Sequence, residues 1–299
     1  MNRLIFVPIL LVLILITSCD VYNQDDYREL VVMEAYAIAG RPLPDVRVST
    51  TGPVNDEYSF VDVAINDASV VVTQLDSNGE PLEDFSYTRR TMGVYRATNQ
   101  SVLVEPGATY RINIQFESRT EQLTAETVVP QQFEILSDVN ESYVYQSEDR
   151  LEIILTATES NAKQNVYVFN TITLEPSLDN LTPFYKSAVD DRDAGIEEFF
   201  NNSSGLINEG NFEVNDDQTI TLQFPWIGVA FYGENAVVTN SVDSNLADLA
   251  RSEELQLGGS TLPPGEIPNL IYNVDGGIGV FGSIASDTII TNFIRPELP

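Results

Sequence analysis

The sequence contains no histidine and only one cysteine, Cys19. Without imidazole there is no Ser-His-Asp or Cys-His triad, and no side chain of ordinary pKa to exchange protons near neutrality. The usual zinc sites, which draw on His and Cys, are excluded with it. A lone cysteine forms no internal disulfide, so the fold rests on its apolar core. Basic residues are also scarce: 15 Lys and Arg stand against 45 Asp and Glu, and Lys163 and Lys186 are the only lysines. The formal net charge of −30 repels phosphate backbones and anionic head groups, which excludes nucleic acid as a partner. Cationic partners and divalent ions remain compatible with it. Neither a G-x-S-x-G elbow nor a G-x-x-x-x-G-K-[ST] phosphate loop occurs. No 20–50-residue repeat is visible, which argues against solenoids and propellers.

What is present begins at the N-terminus. One basic residue, Arg3, precedes the apolar run from Leu4 to Ile16, and Thr17-Ser18-Cys19 follows. The run falls short of the roughly 20 residues a spanning helix needs; with its basic start and small-residue end it reads as a signal peptide over residues 1–18. Ile16-Thr17-Ser18-Cys19 resembles a bacterial lipobox, whose thiol is acylated with palmitate-type chains as the leader is cut away. The expected partner of Cys19 is therefore membrane lipid, and the expected place is the outer membrane, on its periplasmic or cell-surface face. An ordinary cleaved signal followed by a free thiol is the alternative, and it leaves a reactive cysteine in an exported protein. Two or three acyl chains give a lasting anchor where one holds weakly. Residues 19–27 form a short acidic tether. Fully extended, Asp20 to Arg28 spans about 30 Å at roughly 3.3–3.6 Å per residue, so the folded body sits close to the bilayer. Asp25-Asp26 is similar to the acidic export signals of surface lipoproteins in Bacteroidota.

From Glu29 onward, short runs rich in Val, Ile, Thr and Tyr alternate apolar with polar residues, which is strand period and strand composition. The clearest runs are Leu30 to Ile38, Val46 to Thr50, Ala68 to Leu75, Thr109 to Phe116 and Leu123 to Val129. Asn78-Gly79 supplies the positive φ angles of a tight hairpin between Leu75 and Phe85. Met92-Gly93 and Pro106-Gly107 begin further turn-then-strand units. The expected fold is mainly β: an Ig-like or transthyretin-like sandwich over residues 28–130, then a second β-rich unit with one or two short helices over residues 131–299. In that unit, strands are expected at Leu151 to Ala157, Asn165 to Ile172, Ile220 to Phe224, Ile227 to Phe231 and Ile278 to Ile284. Ser187 to Asn201 reads as one helix. Ser244 to Leu255 reads as another, with Asp243 as N-cap and Gly258-Gly259 as its stop. Asn201 to Asp217 reads as a loop.

Several patterns touch on chemistry. Gly277-Ile278-Gly279-Val280-Phe281-Gly282 fits G-x-G-x-x-G, yet a dinucleotide site needs a following helix and strand, and β-prone sequence follows instead. Glycines admitting a close backbone approach are the better reading. The doublets Asp190-Asp191, Glu197-Glu198, Asp216-Asp217 and Glu253-Glu254 are what a carboxylate-based glycosidase would draw on, though a solvated acidic face explains them more simply. Asp190, Asp191 and Asp193, or Asn215, Asp216 and Asp217, carry oxygen ligands suited to calcium, without EF-hand spacing. Phe224, Trp226, Phe231 and Tyr232 read as sheet core before they read as a sugar-stacking platform. Asp287-Thr288-Ile289 resembles an O-glycosylation acceptor. No catalytic set, metal site or cofactor is expected.

Two longer stretches carry a family likeness. The first is Glu29 to Ala35, with Arg41-Pro42-Leu43-Pro44 and Asn66 to Val72 downstream. The second runs from Ile267-Pro268-Asn269 through Asn273-Val274-Asp275-Gly276-Gly277 to Phe281-Gly282, and is similar to a closing P-x-N-I-x-N-G-x-G-x-F-G pattern with Val274-Asp275 inserted. Together they resemble a Bacteroidota lipoprotein family catalogued as domain of unknown function 4249. The resemblance implies an outer-membrane lipoprotein encoded beside TonB-dependent receptors, with no catalytic residues to transfer. The expected role is a non-catalytic accessory or binding component of such an uptake system. A structural or adhesive surface module is the alternative, and a carboxylate-based glycan hydrolase a more distant one.

Overall fold

The structure, a computed structural model, describes residues 28–53, 56–137, 139–156, 165–192, 195–217, 219–258 and 269–297. The signal peptide, Cys19, the acidic tether, Asp193, Gly259 and Ile267-Pro268 lie outside the described residues, as do the Asp190 and Asp191 side chains.

The first unit is a sandwich. β1 (Val31–Ile38), β2 (Val46–Thr50) and β5 (Val94–Ala97) pair antiparallel in sequence. β3 (Ala68–Leu75), β6 (Thr109–Phe116) and β7 (Gln122–Val128) form the facing layer. β4 (Pro81–Thr91) joins the layers, pairing with β3 up to Ser86 and with β5 from Tyr87 onward. Alternation does the rest. Val31, Met33, Ala35 and Ala37 of β1 point inward onto Val72, Ile112, Ile114 and Leu123, all buried. The β3–β4 turn is the expected one: Asp76 Oδ1 accepts from the Asn78 and Glu80 amides, each at 2.8 Å, and Gly79 sits at φ +82°.

The second unit packs a small sheet against a continuation of the large one. The small sheet is β9 (Glu152–Thr156), β14 (Thr219–Gln223) and β13 (Glu213–Val214). The large sheet continues through β8 (Ser142–Val144), β10 (Val166–Thr173), β11 (Asn201–Ser203), β12 (Ile207–Asn208), β15 (Gly233–Val242) and β16 (Ile278–Ile294). Between the layers lies an aromatic core in which Phe133, Tyr167, Phe169 and Phe293 are at most 2% exposed. Along the chain, the first core runs to Val129 and the second opens at Phe133. Val274 and Phe281 return to the first.

That return is made by β16. Its first residues pair parallel with β1, from Val32 opposite Ile278 to Ile38 opposite Ile284. It then runs antiparallel along β15, from Val242 opposite Ile284 to Gly233 opposite Phe293. One strand therefore belongs to both units and fuses them into a sheet of 13 strands.

The remaining elements depart from expectation for local reasons. α1 (Pro183–Arg192) starts earlier than expected because proline suits the first turn of a helix. Among the described residues further along the span expected to be one helix, Ile196–Phe199 form a 3-10 turn and β11 begins at Asn201. The strand expected at Ile227 to Phe231 is instead a 3-10 turn at Trp226–Gly228, where Pro225 offers no donor and its carbonyl accepts from Gly228 N at 2.8 Å. Within the span expected as a loop, β11, β12 and β13 pair as short strands. α2 (Ser244–Gly258) takes its expected N-cap, Asp243 Oδ1 accepting from Leu246 N at 2.9 Å.

Gly279 sits at φ +118°, and a Cβ there would be driven deep into the Met33 backbone. Gly79, also at positive φ, has open space around it. Gly79→Ala is expected to cost only the left-handed strain of about 1 kcal/mol. Gly279→Ala adds a clash inside a buried parallel pair and is expected to cost on the order of 3 kcal/mol or more. Urea unfolding of the two variants checks the difference, and equal losses would contradict the role given to Gly279.

Candidate functional site

The glycine fingerprint forms a clasp and stands outside the strand–turn–helix setting of a dinucleotide site. No helix follows Gly282; the chain continues as β16. A Cβ on Gly277 would meet the Val31 carbonyl oxygen at 2.6 Å and the Leu123 side chain at 2.7 Å, while Gly282 lies against Leu246 of α2. Asn273 completes the clasp. Its amide donates to Glu126 O at 3.0 Å and Phe281 O at 2.8 Å, and its Oδ1 accepts from Phe281 N at 2.9 Å. Asn245 donates to the same two carbonyls from α2. Thr124 and Asp275 exchange backbone hydrogen bonds beside them. These contacts cover part of the free edge of β7, one of the ways an edge strand is kept from pairing with other chains.

Three of the four acidic doublets are described with their side chains, and they lie on the solvated face that the sequence suggests. Glu197, Glu198, Asp216, Asp217, Glu253 and Glu254 are all exposed, so these doublets offer no facing carboxylates in a cleft. Asp217 is committed to its own turn, accepting from Thr219 N and Oγ1, and those bonds hold its carboxyl below the usual value. Asn215 donates to Thr219 and Thr221. Among the described residues, no three acids converge as a metal site would require. Trp226 packs edge-on against Tyr145 and Phe293 at ring distances of 5.5 and 6.2 Å, in the core as its neighbours suggest. Asp287 accepts from Ile135 N and Thr288 N, each at 2.8 Å, and so ties β16 to the chain entering the second unit.

What the sequence did not announce is a cavity at the edge of the second unit. The large sheet ends at β11, the small sheet presents β14, and the layers part between them. The space is about 420 Å³, within the range of roughly 300–1,000 Å³ of small-molecule sites. Phe169 and Thr171 of β10 floor it, with Leu222 and Phe224 on one side and Tyr185 and Asn202 on the other. A hydrogen-bonded frame fixes the mouth. Tyr185 Oη donates to Ile227 O at 2.7 Å and accepts from Asn202 Nδ2 at 2.6 Å, and Asn202 also donates to Gly228 O at 2.9 Å. Burial pushes the Tyr185 phenol up, with the Asn202 bond opposing it, so it stays a neutral donor. Thr171 Oγ1 is buried and unpartnered. A second, more polar depression of about 750 Å³ lies between β8 and β9, lined by Glu148, Asp149, Arg150 and Glu152 among others.

The family model described as Domain of unknown function (DUF4249) matches residues 18–290. The chain belongs to this family. No curated protein matches it. Among solved structures, the DUF4249 chain is similar to a tetra-tandem repeat from the extending region of a large adhesion protein (14% identity, 88% of this chain and 50% of that chain, TM-score 0.24). It is also similar to trypsin-activated alpha-2-macroglobulin from Escherichia coli (9% identity, 73% and 15%, TM-score 0.21), and to the FN1–FN3 domains of chicken CNTN1 (12% identity, 87% and 63%, TM-score 0.21). The chain spans less than two thirds of each of these, and superpositions this loose carry no argument about function.

One buried carboxyl of the DUF4249 chain sits where its two units meet. Asp243 leaves β15, caps α2, and accepts at Oδ2 from Thr127 Oγ1 of β7 at 2.5 Å. Thr127 Oγ1 lies 2.7 Å from Ser283 Oγ of β16, which donates to Val128 O at 3.0 Å. Burial raises the Asp243 pKa, and hydrogen bonds with Thr127, Leu246 and Ser283 offset this only in part. The folded state thus keeps this proton to a higher pH than the unfolded chain, which releases it at about pH 4. The stability Asp243 contributes is full below that pH and falls as pH rises through its raised folded value. Asp243→Asn keeps a side-chain oxygen for the cap and removes the titrating group, so it is expected to flatten this decline. Asp243→Ala is expected to cost about 2 kcal/mol through the lost cap and stranded hydroxyls. Melting temperatures across pH 4–8 check both, and an unchanged slope in the Asn variant would contradict the assignment.

Proposed function

We propose that this DUF4249 chain is a lipid-anchored outer-membrane protein, of the kind Bacteroidota export, that binds a ligand without transforming it and serves a TonB-dependent uptake system. The observation carrying the binding half is the cavity beside β11: concave, aromatic-walled, with convergent polar groups and no acid–base pair among its lining residues. A purely structural surface module needs no such space. The anchoring half rests on Ile16-Thr17-Ser18-Cys19, in which the only thiol of the chain follows an apolar leader. Among the described residues, no helix is long and apolar enough to cross a membrane, so a lipid on Cys19 is the attachment this reading uses. The tether places the body near the bilayer surface, within reach of a receptor's outer rim.

The expected outcome in cells fed an alkyne-tagged fatty acid is a labelled protein in the membrane fraction. Cys19→Ala loses the label and leaves that fraction. Crosslinking of the wild-type chain in intact membranes is expected to capture a TonB-dependent receptor. An unlabelled wild-type protein would overturn the anchor, and a chain crosslinked to nothing would overturn the receptor association.

A further inference from the structure

The cavity between β11 and β14 has a chemistry more specific than binding in general. None of the residues lining it carries a charge, although the chain as a whole has 60 charged residues, with 45 acids and 15 bases. An ionic ligand seated there would be desolvated without a counter-charge, which is costly. An anion would in addition be repelled at long range by the acidic surface. A pure hydrocarbon fits no better, because polar atoms would be left facing it. Thr171 Oγ1, on a residue 2% exposed, has no partner. Asn202 spends its Nδ2 on the frame, and no described group donates to its Oδ1. Ser203 and Gln223 add a hydroxyl and an amide. Hydroxyls and amides both donate and accept, as do the hydroxyls of a sugar, while Phe169, Phe224 and Leu222 offer apolar walls to its C–H faces.

Resting on the proposal that the chain is a binding protein, we infer that this cavity takes a neutral, hydroxyl-rich ligand of mono- to disaccharide size, with Thr171 at its floor and Asn202 at its mouth. Trp226 is an intrinsic reporter, since Pro225 and Ile227 on either side of it both line the cavity and the chain has no other tryptophan.

The test titrates the purified full chain with methyl glucoside, maltose, cellobiose and N-acetylglucosamine, and with glucuronate and glucosamine as charged counterparts. Trp226 emission and calorimetry serve as readouts. At least one neutral sugar is expected to give a saturable response, and the charged pair none. Thr171→Val exchanges an unpartnered hydroxyl for a methyl of like shape, so its melting temperature is expected to hold or rise while affinity for the neutral sugar falls about tenfold. Asn202→Ala is expected to weaken binding as well, with Thr171→Val deciding the matter if the frame proves necessary for folding. Gln100→Ala, in a separate surface depression, is expected to change nothing. No response to any neutral sugar, equal binding of glucuronate, or full affinity in Thr171→Val would each overturn the inference. Receptor capture in membranes is read separately, so the loss of sugar binding with capture intact would sink this assignment and leave the uptake role standing.

Discussion

The parallel pairing of Val32–Ile38 with Ile278–Ile284 joins the first described strand of the chain to its last, and each unit depends on it differently. For the sandwich it covers the outer edge of β1 and brings Phe281 into the core. For the second unit it fixes the start of β16, whose remaining length is the partner of β15. Parallel neighbours need close, regular backbone approach, which explains the glycines here. A side chain at Gly277 or Gly279 would push the β1 carbonyls away and break the register shared by both units. Asn273 and Asn245 then lock β7 to the same strand through shared carbonyl acceptors.

The two interiors differ in kind. The first is filled mainly by aliphatic residues alternating along regular strands. The second is aromatic and holds buried polar groups lacking partners: Thr171 Oγ1, Thr239 Oγ1 and Asn235 Oδ1 among them. Each such group costs roughly 1–3 kcal/mol, so the second unit is the less economical one. Its layers part where one of those groups lies, and the cavity opens there.

Legibility followed local period. β1, β2, β3, β6 and β7 alternate cleanly, and their residues announce both strand and inward face. Asn78-Gly79 announces its turn, and Asp243 its cap. β15 is not announced by its residues, because Ala236, Val237 and Val238 are a short apolar stretch among Glu234, Asn235, Thr239, Asn240 and Ser241; both amides are used inside the sheet, Asn235 on Phe231 O and Gly233 O, Asn240 on Val168 O and Asn170. The mainly β class and the family were legible; the site was not. Thr171, Tyr185 and Asn202 come from three distant segments, each ordinary where it stands, and only the divergence of two sheets assembles them. A hydrogen-bonded frame of neutral groups leaves no spacing in a sequence. The glycine motif was legible as a close-approach device, and the structure supplies the strand it approaches.

The shared strand also sets an order of events. Contacts between residues some 245 apart, as between Val32 and Ile278, form late because long loops must close first. The sandwich lacks one strand of its outer layer, and Phe281 of its core, until β16 arrives. A chain made from its N-terminus onward would therefore stay incompletely folded until nearly all of it had been synthesised. Through that interval the uncovered edges of β1 and β7 would be the surfaces most open to wrong pairing, on the same backbone groups that the clasp later makes permanent.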